Sequence, residues 1–193
     1  MGKILITGFD PFGGETINPA WEAVKSLPDQ LGDFVLCKLQ IPTIFGLAGE
    51  KVLAFAQQVQ PDLILCIGQA GGRSAITPER IAVNIRDGKI PDNAGFQPNG
   101  EPVDPTGPAA YFSTLPVAHL VAAINAAGVP SVASNSAGAF VCNDVLYTLL
   151  HHYAGTALRV GFIHVPYLPE QGNPSLPLTD IVRGLTAAIE ALQ

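Results

Sequence analysis

The sequence predicts an α/β domain, with a mostly parallel, mixed, twisted sheet lying between layers of helix. Two observations carry that reading. Apolar, β-branched runs alternate with stretches of helical periodicity along the whole chain. Several of those runs are apolar throughout, as in strands covered on both faces. A length of 193 residues suits one domain spanning 1–193, with ample material for a core.

Taken in order, "KILITGF" (3–9) predicts the first strand, and "NPAWEAVKSL" (18–27) a helix opened by an Asn N-cap and a first-turn proline. "FVLCKLQI" (34–41) is the second strand, and "TIFGLAGEKVLAFAQQV" (43–59) a helix in spite of two glycines. "DLILCIG" (62–68) is a third strand and "IAVNI" (81–85) a weaker one. "TLPVAHLVAAINAAG" (114–128) reads as a helix stopped by Gly128, followed by a short strand "SVAS" (131–134). A helix over 144–153, the strand "LRVGFIHV" (158–165) and a helix over 178–192 complete the set. Residues 87–110, rich in proline and glycine, break the alternation; they predict an ordered loop over a site or a subunit contact. A shorter loop covers 166–178. In such folds, sites gather at the carboxyl ends of the strands.

Composition narrows the function. The formal charge is −6 and the ten Lys and Arg are scattered, which argues against a nucleic-acid partner. Three cysteines with no CxxC spacing predict neither a disulfide framework nor a zinc site. "MGKILITGF" lacks the apolar core and cleavage site of a signal peptide, and no apolar run has the length of a membrane helix. The expectation is a cytoplasmic protein with no membrane contact.

Familiar motifs are missing. "GQAGGR" (68–73) lacks dinucleotide-fingerprint spacing, no GxxxxGK[ST] follows a strand, HExxH is absent, and "SNSAG" (134–138) fails the serine elbow at its first position. Cys142 stands out. It follows a run of small residues and falls at or just before a helical turn, where unpaired amides and the positive end of the helix dipole favour a thiolate. Free cysteines are also common packing residues, and Cys37 and Cys66, set in apolar strands, fit that use better. Among four histidines, His164 lies at the carboxyl end of a strand, a place for a base, although a histidine in such a run can also be plain core. Glu79 opens a strand candidate and could orient an imidazole, or could be an exposed carboxylate paired with Arg80.

"GFDPFGG" (8–14), "TPERIAVNI" (77–85), "IPDN" (90–93), "SNSAGAFVCN" (134–143) and "GFIHVPY" (161–167) together resemble the pyroglutamyl-peptidase I family, also called pyrrolidone-carboxylate peptidases. The five motifs stand in the family's order and the likeness runs from residue 3 to about residue 190. The resemblance implies a single three-layer α/β/α sandwich, often a homotetramer, acting as a cytosolic cysteine peptidase that removes an N-terminal pyroglutamyl residue. It implies Cys142, His164 and Glu79 as a catalytic triad. It implies Phe12, Gln69 and Phe140 as parts of the ring-binding site, with Asn18 in support or acting simply as a helix N-cap. Neither metal nor other cofactor is implied. Where the family often carries an arginine before "IPDN", this chain has Lys89, which keeps the charge without the two-pronged donor.

Such a substrate is a lactam with no N-terminal ammonium, so it calls for flat apolar walls and one or two hydrogen bonds rather than an acidic clamp. A nucleoside-phosphorylase-like enzyme would share the architecture, but no phosphate cradle is evident. A catalytically silent binding protein would not need Cys, His and Glu together.

Overall fold

The computed structural model describes all residues 1–193. Its main sheet has six strands in the order β2-β3-β1-β4-β10-β5. They are β1 (Gly2–Phe9), β2 (Gln30–Leu31), β3 (Phe34–Ile41), β4 (Leu63–Gln69), β5 (Thr77–Pro78) and β10 (Arg159–Val165). β3, β1, β4 and β10 are parallel, while the short edge strands β2 and β5 run antiparallel to their neighbours. The predicted mixed, mostly parallel sheet is therefore present.

Alternation along each strand divides the core into two layers. Ile4, Ile6, Leu63, Leu65, Ile67, Ile163 and Val165 point to one face, where they pack with residues of α1 (Pro19–Ser26), α3 (Val117–Ala126) and α5 (Leu178–Glu190). Leu5, Ile64, Cys66, Val160 and Phe162 point to the other, beneath α2 (Leu47–Val59) and α4 (Val141–His152). Because both faces are covered, the central strands carry no polar alternation, which is why they read as unbroken apolar runs. No helix is long and apolar enough to cross a membrane.

Several predicted elements shift. Asn18 caps α1 as expected, its Oδ1 accepting from Ala20 N at 3.0 Å. α2 starts only at Leu47, because Gly46 adopts φ 73°. The expected strand at 131–134 is a correction: only Ser131 and Ser134 form isolated bridges, to Ile76 and Glu79. "IAVNI" does not join the main sheet either. β6 (Ile81–Val83) pairs with β9 (Ala110–Phe112) in a separate two-stranded ribbon over α4. The long segment after it is ordered by its own hairpin, β7 (Arg86–Asp87) with β8 (Asn99–Glu101). Asp92 pins it further, its carboxylate accepting from the backbone N–H groups of Phe45, Ala94 and Phe96.

Candidate active site

His164 lies in β10 on the same face as Phe162, two residues before it, and this is the face that α4 covers. Its strand neighbour in register is Gly68 of β4. Gly68 leaves a gap that α4 fills: a Cβ placed on it would lie 3.0 Å from Cys142 Sγ. The sulfur thus sits over the residue paired with His164. Phe162 packs against the imidazole, with ring centroids 4.7 Å apart.

Cys142 is the second residue of α4, one turn earlier than the sequence predicted that helix to begin. No side chain caps the helix at Phe140. By helix geometry the first amides, those of Val141, Cys142 and Asn143, have no partner within it. The two residues after the cysteine hold this turn in place. Asn143 is buried; its Oδ1 accepts from Val83 N, and its Nδ2 donates to the carbonyls of Val83 and Ile85. Asp144, also buried, accepts from Gly46 N at 2.8 Å and pairs with Arg86 Nε. On the upstream side, serine turns at 134 and 136 and a left-handed Gly138 (φ 78°) shape the approach.

Glu79 lies between β5 and β6, fully buried, and accepts from His164 Nδ1 at 2.7 Å. That bond leaves the imidazole's Nε2 as its basic nitrogen. Burial alone would push the Glu79 carboxyl up. The hydrogen bond and charge of His164, with help from Ser134 and Arg73, hold it below its usual value instead. Burial also pushes the His164 imidazole down, against the pull of Glu79. The Cys142 thiol is raised to about 12, first by burial and then by the nearby Glu79 charge. Burial thus opposes the pull of the helix end toward a thiolate in the free protein. The arrangement sets a thiol over the strand partner of an imidazole whose Nδ1 is bound to a buried carboxylate.

The ring-pocket candidates fall into two groups. Phe12 and Phe140 are half-buried neighbours with centroids 6.0 Å apart, and Phe45 meets Phe140 edge-on at 5.2 Å. Phe140 immediately precedes the helix that carries Cys142, so this aromatic wall is near the sulfur by chain connectivity. Gln69 ends β4, and its Oε1 accepts from Gln171 Nε2 at 3.1 Å. Asn18 is 2% exposed and occupied: besides capping α1, its Nδ2 donates to the Asp10 carbonyl. It braces the loop that carries Phe12. Lys89 is exposed.

Two residues were missed in the sequence. Arg73 donates from Nη1 to Glu79 Oε1 at 2.7 Å and from Nη2 to the Ser136 carbonyl at 3.0 Å. Gln171 accepts from Leu168 N and reaches Gln69, Glu15 and the Ile17 carbonyl, drawing the 166–178 loop to the strand end. For Arg73 a signal existed, since "GGR" follows the β4 carboxyl end; for Gln171 there was none.

The chain is similar to known proteins over its whole length. The family model described as pyroglutamyl peptidase matches residues 2–193. The pyrrolidone-carboxylate peptidase of Levilactobacillus brevis is 56% identical, covering 98% of this chain and 97% of its own. That of Lactobacillus johnsonii is 49% identical over 98% of this chain and 92% of its own. Among solved structures, pyroglutamyl peptidase I of Bacillus amyloliquefaciens superposes with a TM-score of 0.96 at 44% identity, covering 100% of this chain and 97% of its own. The pyrrolidone carboxyl peptidase of Thermococcus litoralis gives 0.95 at 36% identity, over 100% and 93%. With the family match running from the second residue to the last, and relatives of such identity covering nearly the whole chain, the chain belongs to the pyroglutamyl peptidase family.

Proposed function

We propose that this chain acts as a single-domain cysteine exopeptidase, hydrolysing the amide bond after an N-terminal pyroglutamyl residue through Cys142, His164 and Glu79. One observation carries the assignment of roles: the Cys142 sulfur lies over the strand partner of His164, whose Nδ1 is bound to buried Glu79.

The chemistry runs between neutral forms. As the sulfur bonds to the pyroglutamyl carbonyl carbon, His164 Nε2 takes the thiol proton and the carbonyl π pair moves onto oxygen. The first amides of α4, unpaired within the helix, would hold that oxyanion. The imidazolium so formed is stabilised by Glu79. When the C–N bond breaks, the imidazolium returns its proton to the leaving amine, and the acyl group stays on sulfur as a thioester. Water then attacks with His164 again as base, releasing pyroglutamic acid and restoring the thiol. Phe12 and Phe140 supply apolar walls for the lactam ring, and Gln69 a polar edge. Stacking on such a face adds about 1 kcal/mol beyond buried area, and an unmatched buried polar atom costs roughly 1–3 kcal/mol. The lactam should therefore be preferred over proline.

The test is release of a fluorescent amine from a pyroglutamyl amide, beside the matching prolyl and glutamyl amides, by wild type and by Cys142→Ala. Hydrolysis of the pyroglutamyl amide alone, abolished in the variant, is expected. A variant that keeps more than a small fraction of turnover would reassign the nucleophile. We further place the protein as a homotetramer on family likeness, which light scattering in solution decides.

A further inference from the structure

We infer that Arg73 is a positioning residue for this reaction: one guanidinium holds the Glu79 carboxylate against His164 and ties it to the loop that leads into Cys142. The inference rests on the proposed roles of Glu79, His164 and Cys142. It is carried by geometry.

A single carboxylate oxygen, Glu79 Oε1, takes both the His164 Nδ1 bond and the Arg73 Nη1 bond, each at 2.7 Å. Arg73 also donates from Nη1 to Thr77 Oγ1 of β5, two residues before Glu79, and from Nη2 to the Ser136 carbonyl, six residues before the nucleophile. The other oxygen, Glu79 Oε2, is buried with no hydrogen-bond partner. A fully buried carboxylate facing a neutral imidazole needs a counter-charge. Arg73 is the cation that touches it; the neighbouring Arg80 turns away and bonds Asn135.

The charges around the site give Arg73 a signature that a purely structural tie would lack. Cys142 of α4 faces Glu79, Cys66 of β4 and Arg73; His164 of β10 faces Glu79 and Arg73; and Glu79, from the β5–β6 junction, faces His164, Ser134 and Arg73. Glu79 raises both the Cys142 thiol and the His164 imidazole, whereas the Arg73 charge lowers both. Removing Arg73 should make His164 more basic and Cys142 less acidic. The acid limb of kcat/KM, which requires a neutral imidazole, should then move to higher pH.

The experiment compares Arg73→Met, Arg73→Lys, Glu79→Gln and the double variant Arg73→Met/Glu79→Gln, with Arg80→Met as a neighbouring-charge control. Arg73→Met should lose about 10–100-fold in kcat with KM changed less than about threefold, the scale of a lost charge-assisted bond. Its acid limb should rise by roughly half a unit or more. Arg73→Lys should recover part of kcat, because it keeps the charge but cannot span both acceptors. In the Glu79→Gln background the Arg73→Met change should cost less than about threefold, since its partner is already gone. Arg80→Met should resemble wild type. Wild-type kcat in Arg73→Met, an unmoved acid limb, or losses that multiply in the double variant would overturn the inference. Iodoacetamide alkylation of Cys142 against pH gives a reading without substrate: Arg73→Met should shift it upward. If wild type fails to cleave pyroglutamyl amides yet this shift appears, the functional reading falls and the placement of Arg73 stands. If Arg73→Met does not fold, Arg73→Lys decides alone, with partial loss expected and an unchanged kcat and acid limb refuting.

Discussion

Gly68→Ala adds one carbon to the floor beneath the Cys142 sulfur. The new Cβ would stand 3.0 Å from Sγ and 2.6 Å from the Phe162 ring, while ordinary contact begins at 3.4 Å. The sulfur must retreat by about 0.4 Å, the difference between 3.4 and 3.0, and the ring by about twice that. Phe162 is 1% exposed, so its ring has little room to yield. Overpacking of this kind costs about 1–3 kcal/mol. In a chain of this length that lowers Tm by about 3–10 °C. A reacting atom displaced by 1 Å can cost about 100-fold, so 0.4 Å predicts roughly a 5- to 30-fold loss in kcat/KM. Thermal melts and hydrolysis of a pyroglutamyl amide well below Tm read both effects. A variant with the expected Tm drop and kcat/KM within twofold of wild type would show that this sulfur position is not the reactive one. An unchanged Tm would refute the packing itself.

Four further outcomes are expected. His164→Ala should lose about 10²–10⁴-fold in kcat, as a missing general base does, and Glu79→Gln less, because an amide can still orient the ring; steady-state kinetics showing equal or reversed losses would give Glu79 another role. Phe140→Ala should raise KM for the pyroglutamyl amide more than it lowers kcat, by about threefold to tenfold for one lost aromatic wall, read from the same assay. Asp144→Asn should cost about 2–4 kcal/mol by denaturant melting, since it leaves Arg86 beside the buried side chain without its charge partner. Stability should fall as pH rises from 9 toward 12: the Cys142 thiol is raised from 9.0 to about 12 in the fold, so the unfolded chain gives up its proton first. Cys142→Ala should flatten that alkaline fall, as followed by melts across pH; buried Cys66, raised for the same reason, leaves a residue of it.

The strands were legible because both sheet faces are covered, so β1, β3, β4 and β10 announce themselves by composition alone. The Asn18 cap was legible for a local reason too, since its hydrogen bond spans two residues. What failed was non-local. "SVAS" looks like a strand, yet only two of its residues form bridges, to Ile76 and Glu79 on either side of β5. Glu79 was the weakest of the three site candidates, since its imidazole partner comes from β10, 85 residues downstream. Gln171 reaches Gln69 across 102 residues, a contact no local pattern can signal. The balance at the thiol was not legible either: the sequence shows a helix start, but the burial that opposes ionisation comes from elements far along the chain.

The tripeptide Cys142-Asn143-Asp144 has a practical consequence. Two buried polar ties directly behind the thiol fasten it to the ribbon at Val83, to Ile85, to Arg86 and to the start of α2. Anyone wishing to transplant this sulfur into another scaffold would have to move those receptors with it. A bare cysteine grafted onto a free helix tip would wander by more than the few tenths of an ångström that separate a poised atom from an idle one.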